Sequence, residues 1–155
     1  LIPLTLINAL EGKNINIYGN GEQVRNWIYV DDNNKALIQI IKKGKLGEIY
    51  NIGGYSEISN ISLVKKICKI LDKKFPLKNK KKYHNLIKFV QDRPGHDKRY
   101  SLNIKKIQKE IGWKLDTNIN LGLEKTISWY LDNFNWWKKI RKTKYSGKRI
   151  GIYDK

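Results

Sequence analysis

Methionine is absent from all 155 residues, and the chain opens on Leu1. A complete translation product starts with Met, so the sequence is expected to be a piece of a longer protein or a processed one. Cysteine is nearly absent as well: Cys68 stands alone, which excludes an internal disulfide and fits a reducing cytoplasm. Its spacing with Val64, Ile67 and Leu71 makes it a small hydrophobe on a helix stripe rather than a nucleophile. No run of about 18 apolar residues occurs. The short Leu1 to Leu10 stretch has no basic residues before it and no small-residue cleavage site after it, so neither a membrane span nor a signal peptide is expected. The two histidines, His84 and His96, lie twelve residues apart and far from Cys68, too dispersed for a metal site. None of the nine tyrosines is followed by lysine four residues on, and no Gly-x-Ser-x-Gly elbow is present. No catalytic residue is therefore assigned to this chain.

Acidic residues are scarce: 14 against 32 basic ones give a formal charge of +18. Such an excess can mean a nucleic-acid partner. Here nearly all of it is lysine, gathered at Lys73 to Lys82 and Lys138 to Lys148, where a solvated face or loop is the ordinary reading. Nucleic-acid binding is not expected. The five arginines, Arg25, Arg93, Arg99, Arg141 and Arg149, carry more meaning, because in a lysine-preferring chain arginine marks a place that needs a planar, bidentate donor.

With 40% hydrophobic residues, five Trp, nine Tyr and three Phe, residues 1–155 can bury one modest core, and a single lobe with a tail at 138–155 is predicted. A helix is predicted over 3–11, started by Pro3 and stopped by Gly12. Asn16 to Tyr18 reads as a short strand running into the Gly19-Asn20-Gly21 turn, and Arg25 to Val30 as a second extended segment. Asp31 is expected to cap a helix whose inner stripe is Ala36, Leu37, Ile40 and Ile41, ended by Lys42, Lys43 and Gly44. Glu48 to Ile52 reads as a buried strand. A helix capped by Ser59 or Asn60 buries Ile61, Val64, Ile67, Cys68 and Leu71. A mobile Lys-rich loop should cover Phe75 to Asn85, with a strand over Leu86 to Val90. Two more helices are predicted, from an Asn103 cap to Gly112 and from about Leu121 to Trp137. The total is four to five helices among few strands, an α/β lobe with no internal repeat.

Gly19-Asn20-Gly21-Glu22-Gln23-Val24 has two glycines of a dinucleotide fingerprint but no convincing helix after them, so it reads as a turn. The densest chemistry lies at Gln91-Asp92-Arg93-Pro94-Gly95-His96-Asp97. Arg93 can fork onto phosphate oxygens, Pro94 stiffens the turn, Gly95 lets backbone approach closely, and His96 offers a donor. The bland alternative is that Arg93 pairs with Asp92 or Asp97. Arg25 can likewise join a clamp or bond Asp31 or Asp32, and Asn60 can bind a ligand or merely cap its helix. Trp27, Trp129, Trp136 and Trp137 suit a core or interface better than base stacking.

These segments occur in a familiar order. Leu1-Ile2-Pro3-Leu4, Ile17-Tyr18-Gly19, Gln23 to Asp32, Tyr50 to Gly54 and Asp92 to Tyr100, with Gly112-Trp113-Lys114, Trp136-Trp137 and Tyr145-x-Gly147-x-Arg149, resemble the extended short-chain dehydrogenase/reductase family. Asp-Arg-Pro-Gly-His-Asp with the Trp-Trp ending narrows the resemblance to nucleotide-sugar dehydratases, above all those acting on dTDP-glucose. The resemblance implies that this is the C-terminal substrate-binding lobe. NAD, the Tyr-x-x-x-Lys pair and an Asp-Glu acid/base pair would then belong to a Rossmann domain preceding Leu1. It also implies dTDP-glucose as the partner, a homodimeric parent, and a role in deoxysugar biosynthesis of the dTDP-rhamnose and O-antigen kind. In the full enzyme NAD would take a hydride from carbon 4, water would leave across carbons 5 and 6, and the hydride would return at carbon 6. Carried over by motif, Leu1, Ile2, Pro3, Leu4, Thr5, Asn16, Ile17 and Tyr18 line the nucleotide pocket, with Tyr18 against thymine. Arg25 and Arg93 grip the pyrophosphate from beside Asp92, Pro94 and Gly95. Asn60, His96 and Tyr145 add hydrogen bonds to phosphate, ribose or base. Asn16 stands where the family often has Pro.

Overall fold

Apolar residues three and four positions apart set most of the architecture, and a computed structural model that describes residues 1–78 and 80–143 shows which of these stripes find a partner. Among the described residues the order is α1 (Ile2–Leu10), β1 (Ile15–Tyr18), β2 (Val24–Trp27), α2 (Val30–Lys43), β3 (Ser56–Ser59), α3 (Asn60–Lys74), β4 (Ile87–Val90), α4 (Lys105–Ile111), α5 (Ile119–Asp132) and α6 (Phe134–Thr143), with a 3-10 turn at Tyr83–Leu86. Two small sheets result. β1 pairs in parallel with β4, Ile15 opposite Ile87 and Tyr18 opposite Val90, and β2 pairs antiparallel with β3, Val24 opposite Ser59. The α/β class predicted from the sequence is the one observed.

The main core lies between α1, β1, α3 and α5, where Leu6, Ile17, Val64, Ile67, Leu71 and Ile127 are buried together. Each such side chain contributes about 1.5–3 kcal/mol of apolar burial. Cys68 sits among them, and burial, helped by the nearby Asp72 charge, pushes its thiol pKa up to about 12, which leaves no reactive thiolate. Tyr83 is also fully buried. Its hydroxyl donates to the Phe75 carbonyl at 2.8 Å and its N–H to Asp72 at 3.1 Å, so the Lys-rich segment expected to be mobile is anchored to α3.

A second cluster joins Ala36 of α2 to Ile104, Ile107 and Ile111 around α4, and to Trp113. Asp32, only 1% exposed, ties it to the chain that follows: its carboxylate accepts from the Thr117 N–H at 2.9 Å and its carbonyl from the Trp113 indole at 3.1 Å. Asp31, expected as the cap of α2, lies instead inside its first turn, because the helix starts at Val30, two residues earlier than that cap would place it, with Tyr29 as N-cap. An acidic residue there still favours the helix dipole. Gly44 ends α2 without a left-handed turn; a side chain at that point would meet the Ile40 carbonyl oxygen at 2.5 Å.

Further expectations are corrected. Glu48 to Ile52 is not a buried strand: no strand pairs with it among the described residues, and Ile49 is exposed while Tyr50 and Ile52 rest on the second cluster. The outer half of the α2 stripe is open to water, with Leu37, Ile38 and Ile41 exposed on the helix and Leu46 after it. The last predicted helix is two, α5 and α6, separated at Asn133, whose side-chain amide donates to the Trp129 carbonyl at 2.9 Å. The helix count is therefore six, and α6 runs to Thr143, inside the segment expected as tail. Trp137 is buried, as is Trp113, but Trp129 and Trp136 are exposed, stacked edge to face on one another.

Candidate functional site

β1 and β4 run in parallel, so both deliver the chain at the same edge, and ligand sites favour the carboxyl ends of such strands. β1 leads into the turn Gly19 to Gly21, and β4 into the turn Gln91 to Asp97. The Gly19 N–H donates to the Val90 carbonyl at 2.9 Å, joining the two turns at their root. α3 is drawn to the same place, since its Asn60 and Ile61 N–H groups donate to the Gln23 and Gly21 carbonyls at 3.0 and 2.9 Å. The Ser59 hydroxyl caps that helix by accepting from the Ser62 N–H. Asn60 is thereby relieved of the capping duty that the sequence left open, and it lines the cavity.

That cavity, of about 460 Å³, is walled by Leu1, Leu4, Thr5 and Asn8 of the α1 segment, by Ile15 to Tyr18 of β1, by Arg25, Asn26 and Trp27 of β2, and by Asn60, Arg93 and His96. Ten of the residues singled out from the sequence are thus brought together: Leu1, Leu4, Thr5, Asn16, Ile17, Tyr18, Arg25, Asn60, Arg93 and His96. Ile2 and Pro3 face a neighbouring cavity of about 710 Å³ lined by Ile28, Tyr29, Thr117 and Tyr130. It is the larger of the two, yet among the described residues the one charged side chain lining it is Asp116, the wrong sign for a phosphate. Asp92, Pro94 and Gly95 do not line the phosphate-compatible cavity but build the turn that carries Arg93 and His96. Gly95 sits at φ +66° with open space around its Cβ position, so its freedom serves the turn and not a close approach. Tyr145 lies outside the described residues.

The two arginines are held differently. Arg25 donates to the Val24 carbonyl at 2.7 Å and to the Asp97 carbonyl at 3.0 Å, with its guanidinium 4.4 Å from the centre of the Tyr100 ring. Neither Asp31 nor Asp32 is its partner. The Tyr100 hydroxyl in turn bonds the Asp97 carboxylate, which raises the Tyr100 pKa. Arg93, by contrast, forms no side-chain ion pair or hydrogen bond with the described residues; only its backbone N–H is used, donating to Asp92 at 2.8 Å. A fixed guanidinium beside an uncommitted one suits a ligand carrying two adjacent negative groups. Arg99 is spoken for, bound through two nitrogens to Glu57 at 2.8 and 3.0 Å.

His96 is nearly enclosed, and its Nδ1 lies 2.6 Å from Asp92 Oδ1. That bond, with the Arg93 N–H, holds the Asp92 carboxyl below its ordinary value. Sequence reasoning missed Asn8, Ile15, Asn26 and Trp27 as wall residues, the last having been assigned to a core or interface. Asn26 left no local signal, because its amide is defined by a partner far along the chain: it donates to the Gly54 carbonyl at 2.7 Å and accepts from the Gly54 N–H at 2.6 Å. Among the described residues no group of three His, Cys, Asp or Glu is placed to hold a metal ion.

Residues 1–126 match the family described as GDP-mannose 4,6 dehydratase. Among curated relatives, a probable dTDP-glucose 4,6-dehydratase of Sinorhizobium fredii is 46% identical over 155 residues, all of this chain and 44% of that protein. A dTDP-glucose 4,6-dehydratase of Escherichia coli is 45% identical over 99% of this chain and 43% of its own length. Among solved structures, the dTDP-glucose 4,6-dehydratase of Streptomyces venezuelae with NAD and TYD bound superposes with a TM-score of 0.81 at 35% identity, covering 90% of this chain and 41% of that one. The chain thus spans less than half the length of the proteins it matches.

Proposed function

This chain belongs to the GDP-mannose 4,6 dehydratase family, and from that footing we propose that it is the nucleotide-sugar-binding, C-terminal part of a dTDP-glucose 4,6-dehydratase. The whole enzyme converts dTDP-glucose to dTDP-4-dehydro-6-deoxyglucose and water in deoxysugar biosynthesis. The observation that carries this reading is the cavity at the carboxyl ends of β1 and β4, where Arg25, Arg93, His96 and Asn60 converge beside the apolar wall of α1 and β1. An apolar slot beside two guanidinium groups matches a base on one side and a diphosphate on the other. Tyr18 faces the base, the arginines hold the pyrophosphate, and Asn60 and His96 add hydrogen bonds.

The described residues bind and orient. NAD does not fit them: the glycine turn after β1 leads into β2 and not into a helix N-terminus, and a Cβ at Gly19 or Gly21 would already meet Asp92 or Ile17 at 2.6 Å. The cofactor therefore belongs to other parts of the parent protein, and so do the acid, base and hydride chemistry. Fixing the diphosphate fixes the sugar relative to those groups, and such positioning can lower a barrier by several kcal/mol, up to about 10. We further read the parent as a cytoplasmic homodimer. The support for the location is a buried, unpaired Cys68 and the finding that no helix among the described residues is long and apolar enough to cross a membrane; the dimer rests on family resemblance.

Titrating the full-length protein with dTDP-, UDP- and GDP-glucose should give the tightest binding for dTDP, by about tenfold or more, because selectivity of that order needs only about 1.4 kcal/mol at the base. A second reading keeps the fold and changes the nucleotide, and the family description itself favours guanosine. Preference for the GDP sugar in the same titration would establish that reading and end the first.

A further inference from the structure

We infer that Asp92 is a positioning residue of the nucleotide-sugar cavity, acting through His96. The inference rests on the nucleotide-sugar reading of that cavity. Asp92 does not line the cavity, yet its carboxylate is the junction beneath it. One oxygen meets His96 Nδ1 at 2.6 Å and the Arg93 N–H at 2.8 Å; the other accepts from the Gln23 side-chain amide at 3.0 Å. Gln23 is buried, and its carbonyl accepts the Asn60 N–H. A single carboxylate thereby links three residues that face the ligand. Gly19 is part of the same device: at φ +58°, a Cβ there would strike Asp92 Oδ2 at 2.6 Å, so only glycine leaves the carboxylate its seat.

The chemistry that follows is definite. An acceptor on Nδ1 fixes a proton on that nitrogen, which settles both the tautomer and the ring plane and leaves Nε2 as the atom available to the ligand. With the ring neutral, Nε2 accepts from a sugar or ribose hydroxyl; with the ring protonated, Nε2 donates to a phosphate oxygen and Asp92 balances the charge. Without Asp92 the ring is free to rotate and to carry its proton on either nitrogen.

The test is a thermodynamic cycle on full-length enzyme, with dTDP affinity read by calorimetry for wild type, Asp92→Ala, His96→Ala and the double variant, and Asp92→Asn as the conservative check. Asp92→Ala should weaken dTDP binding about tenfold when His96 is present and less than about twofold when it is replaced, since coupled neighbours are strongly non-additive. Asp92→Asn keeps an oxygen for His96 Nδ1 and should restore most of the affinity; it also serves if Asp92→Ala does not fold. Equal losses in both backgrounds, or no rescue by Asn, overturn the positioning role. If His96→Ala and Arg93→Ala both leave dTDP binding unchanged, the cavity reading itself fails and takes this inference with it.

Discussion

Arg93→Ala should weaken dTDP-sugar binding by about a hundredfold or more, because truncating one partner of a desolvated charge pair costs about 2–5 kcal/mol. The melting point should stay where it was. The second half of this expectation comes from the structure: the Arg93 guanidinium forms no hydrogen bond or ion pair with the described residues, its charge is felt only at a distance by Asp92 and Tyr100, and the residue is exposed. Exposed positions without partners move stability by less than about 0.5 kcal/mol. Arg25→Ala is the contrasting case, since that guanidinium braces the Asp97 carbonyl and the Tyr100 ring and its loss should lower both affinity and stability. Arg93→Lys should recover only part of the binding, because an ammonium cannot fork onto two oxygens. Calorimetric titration beside a thermal melt separates these outcomes, and an unchanged affinity in Arg93→Ala would remove the pyrophosphate role. Any retention on DNA carried by the lysine clusters should persist in that variant and fall steeply with salt.

Gly54→Ala should destabilise the fold severely. A Cβ at Gly54 would lie 1.8 Å from the Trp27 carbonyl oxygen and 2.8 Å from its carbon. Both atoms are backbone of β2, so no rotamer change relieves the overlap. Nor can the strands simply part, because Asn26 clasps Gly54 through both its N–H and its carbonyl. Separating them breaks that pair of bonds and the β2–β3 register beside it, for a cost of at least about 4 kcal/mol, in the range reserved for severe core or backbone damage. Gly95→Ala measures the difference between crowding and conformation, since nothing surrounds its Cβ position and only the left-handed backbone is penalised, by about 1–2 kcal/mol. Chemical denaturation of the two variants should rank them in that order; a Gly54→Ala protein as stable as wild type would show that the strands sit farther apart.

What could be read from the residue order is what local spacing encodes. The stripe of α3 and the Gly12 and Gly112 stops declare themselves within a few residues. Glu48 to Ile52 has the composition of a strand, but a strand is completed by a partner, and pairing is not written in the segment itself. The stop at Asn133 is hidden by apolar residues that continue at helical spacing on both sides. The same limit applies to the site. Arg93 and His96 stand out in the sequence because guanidinium and imidazole lie three residues apart in a turn stiffened by Pro94. The place of Asp92 beneath the cavity is not legible in its own segment, because its partner Gln23 lies 69 positions away.

Leu37, Ile38, Ile41 and Leu46, open to water on and after α2, have a consequence for handling. Apolar patches on two copies attract each other, while a formal charge of +18 on each copy keeps them apart over the screening distance, about 10 Å at 0.1 M salt and 3 Å at 1 M. Colloidal behaviour therefore runs opposite to the common habit of adding salt to quiet a basic protein: dilute buffer preserves the repulsion, and concentrated salt removes it and lets the greasy faces meet.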